Sequence, residues 1–276
     1  MDRIRLIASD MDATLLDEQS QLPADFEETI HALAELGIRF APASGRPLYT
    51  LEAMFPTLQD ELVFIGDNGG AIRWKGQNLF TSEMSPEGWR ALNRLTREQG
   101  DIAVLCGLES AYVERTFAVH DAVLRHFYTK IEYVDRLEDV TAPADKFTIY
   151  LPQHNAQQAY DTVYASQRSI YSVAVAGECW VDIMNPGVHK GAALQTLGQL
   201  WGLPSESIMA FGDTYNDAEM LQTVRYGFLM ENGSEPLRQK VPFLAPSHRE
   251  AGVMQVLHRV LAQNGCVCPE DFVPAH

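Results

Sequence analysis

The stretch Ile4-Arg5-Leu6-Ile7-Ala8-Ser9, which stops on Asp10-Met11-Asp12, constrains the fold of this chain more than any other. It is mostly apolar and lacks helical spacing, so it reads as a strand buried on both faces. Such strands belong to parallel sheets covered by helices on both sides. Side chains alternate along a strand, so Asp10 and Asp12 are expected to project together from its carboxyl end. Two carboxylates that close repel each other, and burial makes this worse. A cation between them removes the conflict, and hard oxygen ligands suit Mg²⁺. The competing reading is a polar turn after a strand, because Asp is common in turns.

The same rhythm continues. Phe26, Ile30, Leu33 and Leu36 recur at helical spacing, and Gly37 stands where a C-terminal cap belongs. A second apolar strand at 38–43 ends in Ser44-Gly45-Arg46, and a third, Leu62 to Gly66, ends in Asp67-Asn68-Gly69-Gly70. Strand, helix and strand in this order imply a parallel sheet with right-handed crossovers. Sites in such sheets lie beyond the carboxyl ends of the strands, where Asp10, Ser44 and Asn68 all fall.

The texture then changes. Ser85-Pro86 opens a helix with Trp89, Leu92 and Leu95, Ser85 acting as cap and Pro86 in the first turn. Short strands are expected at 102–106, 111–114, 146–151, 170–176 and 179–184, with helices near 119–128 and 155–168. After Asn185-Pro186-Gly187 the first pattern returns. Lys190-Gly191 begins a helix closed by Gly202, and the buried strand Ile208 to Gly212 stops on Asp213-Thr214-Tyr215-Asn216-Asp217. A last strand is expected at Tyr226 to Met230, and Val253, Val256, Leu257, Val260 and Leu261 mark a closing helix. The expected organisation is a doubly wound, Rossmann-like α/β core over 1–82 and 184–276, with an α+β unit inserted at 83–183.

Composition narrows the function. A net charge of -16 opposes binding to nucleic acid or anionic membranes, and a phosphorylated substrate would need a metal or local cations. No apolar run is long enough to span a membrane, and the N-terminus lacks the apolar segment of a signal peptide. Cys106, Cys179, Cys266 and Cys268 are too few and too scattered for a disulfide framework. A reduced, cytoplasmic protein is expected, as a monomer or small homo-oligomer.

Asp10, Asp12, Ser44, Lys190, Asp213 and Asp217 are each weak signals alone. Together they occupy one kind of place, the carboxyl ends of strands or the helix starts beyond them. They supply what phosphoryl transfer requires: a nucleophile, a proton donor, metal ligands and a cation beside the moving phosphate.

The arrangement resembles the haloacid dehalogenase superfamily, whose pattern is DxDG[TS], a later Ser or Thr, a downstream Lys, and GDxxND. Here these stand as Asp10-Met11-Asp12-Ala13-Thr14, Ser44-Gly45-Arg46, Lys190-Gly191 and Gly212-Asp213-Thr214-Tyr215-Asn216-Asp217. Asn68-Gly69-Gly70 and Pro186-Gly187-Val188-His189-Lys190-Gly191 extend the likeness to the Cof-type branch, which carries a large cap between the second and third motifs. The resemblance implies a Mg²⁺-dependent phosphatase for small phosphorylated metabolites, with the cap selecting among them. Asp10 would attack phosphorus and form an aspartyl-phosphate, and Asp12 would be the acid and then the base. The metal would be held by Asp10, the backbone carbonyl of Asp12 and Asp213, with Asp217 acting through water or orienting Lys190. Substrate contacts would come from Ser44, Gly45, Arg46, Asn68, Lys190 and Asn216.

Two departures stand out. Ala13 replaces the usual Gly, and a negative φ is expected there because the flanking residues are retained. Met230-Glu231-Asn232-Gly233 replaces Met-Gly-Asn-Ala, which is expected to bring a carboxylate near the site rim. The alternatives are a phosphomutase of the same superfamily and a non-catalytic phosphate-binding switch. Asp12 argues against the switch, since a slowly hydrolysing receiver has no use for an acid/base two residues after the nucleophile. Neither GxGxxG nor GxxxxGK[ST] occurs at the positions that would mark a dinucleotide or P-loop site.

Overall fold

The computed structural model describes residues 1–276. Its larger sheet has nine strands, in the order Val273–Pro274, Phe243–Ala245, Tyr226–Met230, Ile208–Gly212, Leu6–Asp10, Arg39–Ala43, Val63–Gly66, Ala71–Trp74 and Gln77–Thr81. The six from Phe243–Ala245 to Val63–Gly66 are parallel, and antiparallel partners close both edges. Period-two alternation divides the strand residues between two cores. Ile7, Phe40, Phe64, Phe211 and Phe228 pack with the helices Phe26–Glu35 and Gly252–Ala262. Leu6, Ala8, Ala41 and Ala210 pack on the other face with Lys190–Trp201 and Ala218–Thr223. With both faces covered, the strands carry no polar alternation.

Register decides where the chain's chemistry falls. Ser9 lies beside both Pro42 and Phe211, so three central strands end in step. Asp10, Ser44 and Asp213 therefore emerge at one edge.

The inserted α+β cap is built on a six-stranded sheet, ordered Ser172–Ala176, Trp180–Met184, Ala144–Tyr150, Ile102–Gly107, Ala111–Glu114 and Ile131–Val134. Its apolar face, with Phe147, Ile149, Val181 and Ile183, packs on Trp89 and Leu92 of the helix Pro86–Gln99. That helix is capped by Ser85 Oγ, which accepts the Gly88 N–H at 3.1 Å. Asn185 joins the two crossings between core and cap, its Nδ2 donating to Ser82 O, Ser82 Oγ and Glu83 O at 3.3, 3.1 and 2.8 Å.

Several elements differ from expectation. Tyr226–Met230 is not the last strand, because the short edge strands Phe243–Ala245 and Val273–Pro274 follow it. Ala71–Trp74 and Gln77–Thr81 form an unanticipated hairpin whose turn holds Lys75 at φ 50° and Gly76 at φ 70°, the left-handed pair that tight hairpins favour. Ile131–Val134 was also not foreseen, and the helix expected over 155–168 is shortened to Ala156–Asp161. These are short pieces whose identity is decided by what they pair with.

Candidate active site

The helix Lys190–Trp201 begins under the edge where Asp10 ends, and the His189 ring accepts the Ala192 N–H at 3.1 Å to cap it. That start places Lys190, completely buried, between two acids. Its Nζ donates to Asp10 Oδ1 and, at 2.7 Å, to Asp217 Oδ1. Asp217 Oδ2 accepts the backbone N–H groups of Asp213 and Thr214 at 3.1 and 3.2 Å. Gly212 is required here, because a Cβ would come within 2.4 Å of Asp217 Cβ. Asp217 thus spends both oxygens on shaping the turn and holding the lysine.

Asp10, Asp213 and Asp217 offer carboxylate oxygens that all lie within 4.8 Å of one another, with only Lys190 to balance them. Burial pushes the Asp10 carboxyl well above its usual range, and the charges of Asp217 and Asp213 add to this against Lys190. Asp213 is pushed up to about 6, by burial first and Asp217 second. Burial works to lower the Lys190 pKa, but its two carboxylate partners outweigh that and raise it, so it stays charged. A cluster with this surplus of buried negative charge and hard oxygen donors fits a divalent cation such as Mg²⁺.

The strand stops at Asp10, so Asp12 reaches the edge through the turn Met11–Leu15 rather than by strand alternation. Its side chain is 58% exposed, and Arg46 Nη2 donates to its Oδ1 at 2.9 Å. The expectation for Ala13 is overturned: its φ is +56° and ψ 14°, a left-handed conformation. The chain leaves the sheet in the three residues after Asp10, and a left-handed residue in that turn costs about 1–2 kcal/mol for a side chain with a Cβ. Asn232 holds the turn, its Nδ2 donating to Ala13 O at 2.8 Å while its Oδ1 accepts the His248 N–H at 3.0 Å. Glu231, next to Asn232, is exposed and is not among the residues lining the cleft.

Asp10, Asp12, Ser44, Gly45, Arg46, Asn68, Asp213 and Asn216 all line one cleft of about 1540 Å³ between core and cap. Lys190 and Asp217 lie behind its wall. Ser44 Oγ accepts the Arg46 N–H at 3.1 Å, and Asn216 Oδ1 accepts the Thr214 hydroxyl at 2.6 Å. Asn68 reaches the cap, donating from Nδ2 to Asp182 Oδ2 at 2.9 Å. The cap side of the cleft includes Phe127, Tyr128, Lys146, Thr148, Trp180 and Asp182. Sequence reasoning did not single out Lys146, Asp182 or Asn232. For the first, the available signal was an Asp145-Lys146 pair inside an otherwise apolar strand.

A doubly wound sheet with an inserted cap, and a lysine-bridged acid cluster at its carboxyl edge, define a hydrolase of the phosphoryl-transfer kind. The chain belongs to the haloacid dehalogenase-like hydrolase family, whose model matches residues 7–257, and its reaction class is phosphoric monoester hydrolysis. It is 31% identical over 262 residues to the 5-amino-6-(5-phospho-D-ribitylamino)uracil phosphatase YbjI of Escherichia coli, covering 94% of this chain and 96% of that protein. It is also 31% identical over 249 residues to the HMP-PP phosphatase of Cronobacter sakazakii, covering 87% and 89%. Among solved structures, a Streptococcus mutans protein superposes with a TM-score of 0.85 at 28% identity, over 94% of this chain and 99% of its own. No helix is long and apolar enough to cross a membrane.

Proposed function

We propose that this protein is a Mg²⁺-dependent phosphatase that hydrolyses small phosphorylated metabolites through an aspartyl-phosphate on Asp10. The observation that carries this reading is the buried Lys190 bridge. It occupies one oxygen of Asp10 and leaves Oδ2 without a protein partner, in the lining of the cleft. That oxygen attacks phosphorus while the bond to the leaving oxygen breaks, and Asp12 gives the leaving oxygen its proton. Asp12 then takes a proton from the water that cleaves the acyl phosphate, restoring Asp10 and releasing inorganic phosphate. Arg46 orients Asp12 through their 2.9 Å ion pair. Ser44 and Asn216, in the cleft lining, hold the phosphoryl oxygens, while Lys190 behind the wall holds Asp10 and offsets its charge. Asp10, Asp213 and the Asp12 carbonyl would hold Mg²⁺, which would supply positive charge against the phosphate and the nucleophile. The closure of Asp217 on Lys190 and two backbone amides supports an orienting role for it, in preference to direct ligation.

The cap supports one substrate class above the others. Phe127 and Trp180 meet edge to face with centroids 5.0 Å apart, and with Tyr128 they give the cleft an aromatic wall. A flat ring carried on the phosphate ester would stack there, which suits a substrate like the ribitylaminouracil phosphate named for the Escherichia coli relative. The cap unit at 83–183 would thus set specificity. Phosphate release is measured with Mg²⁺ across ring-bearing esters, that compound included, and plain hexose phosphates. Ring-bearing esters are expected to show the higher kcat/KM. A tenfold preference for hexose phosphates would overturn the aromatic-wall assignment, and no hydrolysis of any ester would overturn the phosphatase reading.

A further inference from the structure

The cap reaches the catalytic edge through one buried cation. Lys146 stands on the strand Ala144–Tyr150, on the face that carries Thr148 toward the cleft, opposite the apolar face of Phe147 and Ile149. A bulge at Asp145 shifts the strand's register beside it. The Lys146 side chain is 2% exposed. Its Nζ donates to the backbone carbonyl of Gly45 at 2.5 Å and lies 3.0 Å from Asp67 Oδ1 and 3.4 Å from Asp182 Oδ2. An ammonium has three N–H donors. Hydrogen bonds to Gly45 O and Asp182 Oδ2, with the charge of Asp67 beside them, turn the ammonium toward the protein.

The loops that receive it are interlocked. Asp67 and Asn68 stand at φ 50° and 54°, and left-handed residues other than Gly persist only where their surroundings hold them. The Asp67 N–H donates to Arg46 O and the Asn68 N–H to Ser44 O, both at 2.9 Å. The Asn68 amide lies against Gly45, where a Cβ would meet its Nδ2 at 3.2 Å. One loop carries Ser44 and Arg46, the other carries Asn68, and Lys146 clasps both from the cap.

We propose that Lys146 is a positioning residue for the phosphate site. By donating to the Gly45 carbonyl and pairing its charge with Asp67, it fixes the two loops, so the site is complete only when the cap is seated. The role rests on the phosphatase reading above. It also explains why a charged residue occupies the interior of a cap strand that needs none for its own stability.

The test compares wild type with Lys146→Met, in Mg²⁺, on p-nitrophenyl phosphate. Inorganic phosphate serves as competitive inhibitor, and amide hydrogen exchange is followed in parallel. Lys146→Met is expected to lower kcat/KM at least tenfold and to raise the phosphate Ki at least tenfold. Asp67 and Asn68 amides should lose protection while Met209 to Phe211 keep theirs. A phosphate Ki within twofold of wild type overturns the proposal, whether or not kcat falls, because the lysine would then not shape the phosphate site. Should Met209 to Phe211 also lose protection, Asp182→Asn replaces the variant, since it weakens the same clasp from the cap side. Its phosphate Ki is expected to rise about threefold, and an unchanged value overturns the proposal. Failure of wild type itself to hydrolyse the ester would sink the phosphatase reading, and the exchange arm would still decide whether Lys146 holds the loops.

Discussion

Replacing Ala13 by Gly removes a methyl group from a residue held at φ +56° in the turn that follows Asp10. A left-handed conformation costs an L-residue with a Cβ about 1–2 kcal/mol. Gly escapes that cost but brings about 0.5–1 kcal/mol of additional backbone entropy to the unfolded chain. The difference is a stabilisation of roughly 0–1.5 kcal/mol. For a chain of this size each kcal/mol moves Tm by about 2–4 °C, so Ala13→Gly should raise Tm by up to about 6 °C. Activity should move little, because Asn232 pins the carbonyl of residue 13 in either protein. A change in kcat/KM of less than about tenfold, or 1.4 kcal/mol, is expected. Thermal unfolding in metal-free buffer and steady-state hydrolysis of an aryl phosphate in Mg²⁺ read the two effects separately. A fall in Tm of several degrees would refute the strain argument by showing that the Ala13 methyl packs usefully. A rise of a hundredfold or more in kcat/KM would show instead that the natural loop is impaired.

Asp10→Asn should lower kcat by several orders of magnitude in single-turnover and steady-state assays, since an amide of similar shape is a poor nucleophile; retention of a tenth of the wild-type rate would exclude Asp10 as the attacking group. Chelation should abolish activity and Mg²⁺ restore it, while Ca²⁺ should inhibit because its larger, looser coordination misplaces the attack; full turnover in excess chelator would remove the metal from the reaction. Asp145 has both carboxyl oxygens buried without a partner, and burial, followed by the charge of Asp67, holds its pKa well above the ordinary value. The folded state therefore keeps its proton where the unfolded chain has lost it, so stability falls as pH rises from about 4. Asp67, pushed up to about 6 chiefly by burial and lowered by Lys146, adds to the same slope. Asp145→Asn should accordingly gain Tm over wild type at pH 8 and lose that advantage toward pH 4, and an equal Tm difference at both ends would contradict the assignment.

Much of the core was legible because its signals are local. A strand buried on both faces must be a continuous apolar run, and helices announce themselves by spacing and caps, as at Gly37, Ser85 and Gly202. Once the strands are taken as parallel, the residues that follow each of them share an edge, which is why Asp10, Ser44, Asn68 and Asp213 could be grouped from sequence alone. The φ of Ala13 was misread because the turn's shape is set from far along the chain, by Asn232 and the loop at His248. The short edge strands, the hairpin at 71–81 and the strand Ile131–Val134 were missed for a related reason: each is defined by its partner more than by its own residues. Lys146 shows the limit most plainly. Nothing within ten residues of it announces a contact with Gly45, 101 positions away. Chemical identity and local periodicity travel with the sequence, but a buried charge acquires its role only from the acceptors that folding brings around it, and those lie on separate segments joined by the packing of cap on core.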